Sequence, residues 1–139
     1  MNIQLIKNFI IKRKFLVTLF ILWTLMTLYL TLFPVKDIGH HRLFQYDKVG
    51  HAGMFLGWTY LLGLSLHLKN KLTNLNILLT CSMGALFGGL IEILQYVMPY
   101  HRDADIHDFY ADVVGCLIAL YLLYITRKKL VQQQATMKY

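Results

Sequence analysis

Residues 92–115 (EILQYVMPYHRDADIHDFYADVVG) join two strongly apolar segments through a short charged turn. Glu92 and Asp112 lie at positions where a membrane-spanning helix would carry hydrocarbon side chains. Ionisable side chains at membrane depth are costly, so they usually face a partner or a wet cavity. The stretch therefore predicts two helices that cross a bilayer, and it indicates where the function of the chain lies.

The composition predicts a membrane protein of one domain. Hydrophobic residues make up 57% of the 139 positions and charged residues only 15%, a proportion that excludes an ordinary soluble domain. The net charge of +7 would indicate nucleic acid as a partner in a soluble protein. Here the basic residues flank apolar segments, so we expect membrane lipids as partners and no nucleic acid.

Four apolar segments predict an all-α polytopic membrane protein, a four-transmembrane-helix bundle that forms a single domain over residues 1–139. The predicted helices cover residues 15–35, 47–68, 72–100 and 106–126, each long enough to span a bilayer. Glycines at helical spacing predict two smooth faces that let a neighbouring helix approach closely. These faces carry Gly50, Gly53 and Gly57 in the second helix, and Gly84 and Gly88 in the third.

The basic residues predict the orientation of this bundle. With four spans, both termini lie on the same side, and ten of the fourteen Lys and Arg residues fall there. The positive-inside rule therefore places the N- and C-termini in the cytoplasm. All seven acidic residues fall in the outward half of the bundle.

Polar residues recur in pairs three or four positions apart near the predicted outward helix ends. Such spacing puts both members of a pair on one helix face. The pairs should therefore meet at one level, beneath a loop that supplies Arg102. The pairs are Asp47 with His51, Glu92 with Gln95, and Asp108 with Asp112.

In their order and spacing, these pieces resemble the signature of the VanZ-like family of small bacterial membrane proteins. The resemblance rests on Asp47-Lys48-x-x-His51, Glu92-x-x-Gln95, Pro99, Arg102, Asp108 and Gly115. The chain departs from the pattern at Asp112, where the family leads us to expect asparagine. The resemblance implies a multi-pass protein of the bacterial inner membrane. It also implies a link to glycopeptide-antibiotic resistance or to homeostasis of the cell envelope, without an agreed reaction.

The first interpretation of the polar residues is a pocket for an envelope lipid or a lipid-linked amphiphile. Arg102 would clamp an anionic head group, since the planar guanidinium matches phosphate geometry. Glu92 and His51 would form an acid/base pair, and Asp108 would orient Arg102 or His51. Gln95, Asp112 and Asp47 would complete the ligand-binding set. The sequence leaves catalysis and recognition both open, although no serine or cysteine nucleophile accompanies the cluster.

Three other interpretations remain beside it. A buried ion-pair network would only fix the register of the helices, provided that every member finds a partner. A divalent metal bound by His51, Glu92, Asp108 and Asp112 is the alternative to a site without a cofactor. A proton- or ion-coupled carrier is disfavoured, because four helices are few for alternating access and no inverted repeat is visible.

Overall fold

The chain folds into four α-helices in the residues that the structure, a computed structural model, describes: 3–32, 43–67, 72–98 and 105–136. The helices are α1 (Ile3–Leu32), α2 (Leu43–His67), α3 (Asn74–Val97) and α4 (Ile106–Thr136). The prediction of an all-helical chain is confirmed.

Three of the four helices are long and apolar enough to cross a membrane. The stretches with the required length and hydropathy are Lys12–Leu32 in α1, Asn74–Val97 in α3 and Ile106–Gln132 in α4. Large apolar side chains also cover the outside of the bundle, among them Phe15, Leu86 and Tyr96. An apolar exterior of this extent marks a membrane-facing surface. These features indicate a membrane protein. Helix α2 is not among the helices whose length and hydropathy suffice for a span.

Helices α1 and α4 extend furthest beyond the hydropathy pattern, and α2 also begins early, at Leu43 rather than at residue 47. Helix α1 begins at Ile3 rather than at residue 15, and α4 ends at Thr136 rather than at residue 126. The added turns are rich in Lys, Arg and Gln, which have high helix propensity, so the helices continue beyond their apolar parts. Helix α3 begins after Thr73, whose side chain accepts a hydrogen bond of 3.1 Å from the backbone N–H of Asn76.

Helix α2 lies at the centre of the bundle and contacts each of the other three helices. Its Phe55 belongs to a buried cluster with Ile91 and with Cys81 and Cys116, both of which are free thiols. A second cluster near the opposite end of the bundle contains Leu72, Ile77 and Leu123. Both cysteines are therefore packed as small apolar residues.

The glycine faces are correctly predicted in α3 and partly wrong in α2. A Cβ at Gly84 would overlap Thr59 and Cys116, and one at Gly88 would lie 2.9 Å from Asp112 Oδ2. In contrast, Gly50 and Gly53 have open space around them in the described part of the chain. These two positions face away from the neighbouring helices, so their spacing marks no packing face.

Helices α2 and α4 approach each other closely at Gly115. A Cβ at this position would overlap the backbone oxygen of Ala52 and lie 2.9 Å from the backbone nitrogen of Leu56. Only glycine leaves room for two backbones to approach in this way. Gly115 therefore sets the distance between α2 and α4 next to the polar residues described below.

Candidate functional site

Most of the predicted polar residues lie together at one end of the bundle, which we call the site end. Helices α2 and α4 begin at this end, and α3 ends there. His51 and Asp112 are fully buried, Asp108 is nearly so, and Glu92 is half-buried. The structure thus brings the acids of α3 and α4 against the imidazole of α2.

His51 and Asp112 form the buried centre of the site. The Nδ1 atom of His51 lies 3.0 Å from Asp112 Oδ1, and the two side chains are only 1% and 0% exposed. The two atoms are joined by a hydrogen bond, whose proton lies on Nδ1 when the Asp112 carboxylate is ionised. The contact fixes the orientation of the ring.

Asp108 lies on the other side of the imidazole, one turn closer to the start of α4. Its Oδ2 atom is 3.8 Å from His51 Nε2, which is too far for a direct hydrogen bond. Its Oδ1 atom accepts a bond of 3.2 Å from the Nζ of Lys48. The Asp108 carboxylate therefore connects the buried centre with a half-exposed lysine at the rim.

The rim of the site is built by Lys48 and Asp105. Lys48 Nζ donates to Asp105 Oδ2 at 3.1 Å, and the backbone N–H of His107 donates to Asp105 Oδ1 at 2.8 Å. The His107 N–H, and then the lysine ammonium, hold the pKa of Asp105 below its ordinary value. Asp105 therefore remains ionised and forms an ion pair with Lys48 at neutral pH.

Glu92 closes the site from the side of α3. Its Oε2 atom accepts a hydrogen bond of 3.0 Å from the backbone N–H of Asp105, just before α4 begins. This contact ties the last turns of α3 to the first turn of α4. The second oxygen, Oε1, has no partner in the described part of the chain.

Gln95 is directed toward α1. Its Nε2 atom donates to the backbone oxygen of Thr31 at 2.8 Å, and the side chain is buried. This bond fastens the end of α3 to the end of α1. Gln95 therefore has a different neighbour from the acids with which the sequence analysis grouped it.

Three buried polar atoms of the cluster have no hydrogen-bond partner among the described residues. They are His51 Nε2, Glu92 Oε1 and Asp112 Oδ2. Buried polar atoms are nearly always satisfied, and each exception requires an explanation. Their concentration in one place makes the site end the candidate binding site.

The side chains also meet the spacing of metal ligands. Asp47, His51 and Asp108 offer ligand atoms that all lie within 4.8 Å of one another, and so do His51, Glu92 and Asp112. Together the two groups contain all four residues of the predicted metal alternative. Arg102, the predicted anion clamp, lies outside the described residues.

Sequence reasoning missed three contributors to this end of the bundle: Lys48, Asp105 and Thr31. Lys48 was part of the family pattern, and its position three residues before His51 on one helix face could have identified it. Asp105 acts through the backbone N–H that it donates to Glu92 as well as through its side chain. Thr31 contributes a backbone oxygen, for which the sequence contains no signal.

Comparisons with known proteins add no relative. No family model, no curated protein and no solved structure matches this chain.

Proposed function

We propose that this chain is a VanZ-like, multi-pass protein of the bacterial inner membrane, with four crossing helices and both termini in the cytoplasm. The burial of α2 supports the fourth span, because a helix surrounded by three others needs less apolar surface than one that faces lipid. Its polar positions Lys48 and His51 face α4 and not the acyl chains. The concentration of basic residues near both termini supports the orientation.

The function that we propose for the site end is binding of the polar head of an envelope lipid or lipid-linked amphiphile. The observation that carries this proposal is the set of three buried, unpartnered polar atoms on His51, Glu92 and Asp112. Water or a ligand group must satisfy such atoms, because leaving each unpaired costs about 1–3 kcal/mol. A membrane surface offers lipid head groups at this depth in high local concentration.

The charges restrict the kind of head group. The carboxylates of Glu92, Asp105, Asp108 and Asp112 lie at the site end, and Lys48 forms ion pairs with two of them, Asp105 and Asp108. An anionic head group alone would be repelled by this excess. The head group therefore carries a cationic group, or it binds together with a cation and with Arg102 as clamp.

Within this proposal, Glu92 and His51 act as the acid/base pair, and Asp108 orients His51 across the 3.8 Å gap. Asp112 holds the imidazole by its Nδ1 proton. The proposed biological role is in envelope homeostasis or in resistance to glycopeptide antibiotics, as the VanZ-like resemblance implies.

A purely structural role is the second candidate, and one observation favours it. Lys48 bridges Asp105 and Asp108, while Glu92 accepts the N–H of Asp105, so three helices are tied at one point. Such a network fixes the register of helices whether or not a ligand binds.

Native mass spectrometry of the protein released from lipid nanodiscs distinguishes the two functions. We expect one retained amphiphile per wild-type chain, and its loss in Glu92→Gln with a thermal midpoint close to that of the wild type. Tyr60→Phe is the control, because it removes a polar contact between α2 and α4, that of Tyr60 with Thr126, away from the site end. Retention of the amphiphile in Glu92→Gln, with a lowered midpoint, would instead establish the structural role.

A further inference from the structure

We propose that His51 Nε2, Asp108 and Asp47 bind a divalent transition-metal ion, and that Asp112 positions the imidazole from behind. This inference goes beyond head-group binding and does not depend on it; with a metal on Nε2, His51 would act as a ligand and Glu92 alone as the acid/base group. It assigns a transition-metal ion as the partner of the buried His51 Nε2 atom.

The hydrogen bond of the imidazole with Asp112 leaves the other ring nitrogen available for a metal. When Asp112 is ionised, its Oδ1 atom accepts the Nδ1 proton across 3.0 Å, so the lone pair of the neutral ring is on Nε2. That atom is buried and has no partner. A carboxylate on one ring nitrogen and a metal on the other is the usual arrangement of histidine ligands in proteins.

The distance between His51 Nε2 and Asp108 Oδ2 is close to that between two ligands of one metal ion. His51 Nε2 and Asp108 Oδ2 are 3.8 Å apart. Two such ligands, each about 2.1 Å from a zinc ion in tetrahedral geometry, would be roughly 3.4 Å apart. A shift of a few tenths of an ångström is within the freedom of the Asp108 side chain. The separation that is too long for a hydrogen bond is thus suitable for an ion between the atoms.

The types of ligand atom at this place suit a transition metal. Asp47 lies four residues before His51 on α2, and its carboxylate belongs to the same group of atoms within 4.8 Å. One imidazole and two carboxylates suit Zn²⁺ or Mn²⁺ better than Ca²⁺, which prefers oxygen ligands alone. Asp108 can serve both partners, because Lys48 contacts Oδ1 and leaves Oδ2 for the metal.

The alternative to a metal ion is a second proton on His51, bound to Nε2. An imidazolium between Asp112 and Asp108 would need no metal, and Nε2–H would point toward Asp108. The two states differ in a measurable way, because only the metal-bound form carries a metal in stoichiometric amount.

The experiment measures metal bound to the full chain, purified in detergent and dialysed against Zn²⁺ or Mn²⁺ alone. We expect about one ion per wild-type chain and at least a tenfold weaker affinity in Asp108→Asn. Asp112→Asn should lose 10- to 100-fold in affinity, the usual effect of removing the carboxylate behind a ligating histidine. Tyr60→Phe is the matched control, since it removes a polar contact between the same two helices, that of Tyr60 with Thr126, outside the ligand group, and it should bind as the wild type does.

A spectroscopic measurement on the wild-type protein covers the case in which Asp108→Asn does not fold. Pulsed electron paramagnetic resonance of bound Cu²⁺ reports the remote nitrogen of a coordinated imidazole. We expect this signal in the wild-type protein and its loss in His51→Gln. Absence of stoichiometric metal in the wild type, or equal binding by Asp108→Asn, would overturn the proposal. An amphiphile that is retained by a protein that takes up no stoichiometric metal on dialysis would show that head-group binding stands while the metal site fails.

Discussion

The imidazole Nδ1 of His51 is hydrogen-bonded to Asp112 Oδ1 across the contact between α2 and α4, at 3.0 Å and with both side chains buried. The two residues are 61 positions apart in the chain. A buried polar pair of this kind is strongly destabilising when one partner is removed, because the other remains desolvated and unpaired. This pair therefore couples the stability of the bundle to the integrity of the site.

A double-mutant cycle at this pair should show strong coupling. We expect Asp112→Leu and His51→Leu each to lower the free energy of unfolding by about 3 kcal/mol. The double variant should lose clearly less than the sum, because neither polar group is then left alone. Reversible unfolding in mixed detergent measures the cycle, and additive effects would contradict the contact.

The backbone contact at Gly115 predicts a sharp difference between two glycines. Gly115→Ala would push its Cβ into the backbone of Ala52 and separate α2 from α4, at a cost of about 1–3 kcal/mol. Gly53→Ala is the matched control, since its Cβ meets open space. Thermal midpoints in detergent should fall for the first variant and stay level or rise for the second. Equal midpoints would place the helices farther apart than described.

A second pair of glycines tests the packing of Asp112 against α3. A Cβ at Gly88 would lie 2.9 Å from Asp112 Oδ2, whereas a Cβ at Gly89 would make an ordinary contact of 3.6 Å with Phe109. Asp112 is held by His51 and has little room to move, so Gly88→Ala should destabilise by about 1–3 kcal/mol. Gly89→Ala should remain close to the wild type in the same melting experiment. A reversed order of the two would mean a different rotation of α3.

The bond from Gln95 to Thr31 predicts a specific loosening of α1. Gln95→Leu keeps the apolar volume but removes the donor to the Thr31 backbone oxygen. Polar contacts between membrane helices contribute about 0.6 kcal/mol on average, so we expect a small loss of overall stability. Amide hydrogen exchange should accelerate near the end of α1 and stay unchanged in the middle of α4. Uniform exchange along both helices would show that Gln95 does not fasten α1.

The rim carboxylate of Asp105 gives a pH dependence with a defined sign. The His107 N–H and then Lys48 lower the pKa of Asp105 from its ordinary value of 3.8. A depressed pKa in the folded state contributes stability above the unfolded pKa, and this contribution is lost as the pH falls through the folded value. Thermal midpoints below pH 4 should therefore fall more steeply in the wild type than in Asp105→Asn. Parallel curves for the two proteins would remove Asp105 from the ion pair.

The sequence was sufficient to predict the helical class and the helix faces that carry polar residues. The hydropathy of the segments around Glu92 and Asp112 predicted helices there, and the four-residue spacing of Asp108 and Asp112 put both on one face. The geometry agrees, since both aspartates point at His51. These features are local, so the helical period alone determines them.

Which residue contacts which could not be read from one sequence. The rotation of each helix about its axis decides whether Gly53 or Gly57 meets a neighbour, and it decides that Gln95 faces Thr31. That rotation results from packing between segments distant in the chain, such as Gly115 against Ala52. The hydropathy pattern also could not predict where α1 begins and where α4 ends, because polar residues with high helix propensity extend these two helices.

The contact of His51 with Asp112 joins α2 to α4 inside the bundle, and the account of the site depends on it. Solid-state nuclear magnetic resonance of the full chain in liposomes tests it directly, by measuring the dipolar coupling between ¹⁵N at His51 Nδ1 and ¹³C at the Asp112 carboxyl. A strong coupling that corresponds to the Nδ1–Oδ1 separation of 3.0 Å, and that disappears in His51→Gln, is the predicted result. A folded protein in the bilayer with no coupling between these two nuclei would contradict the account.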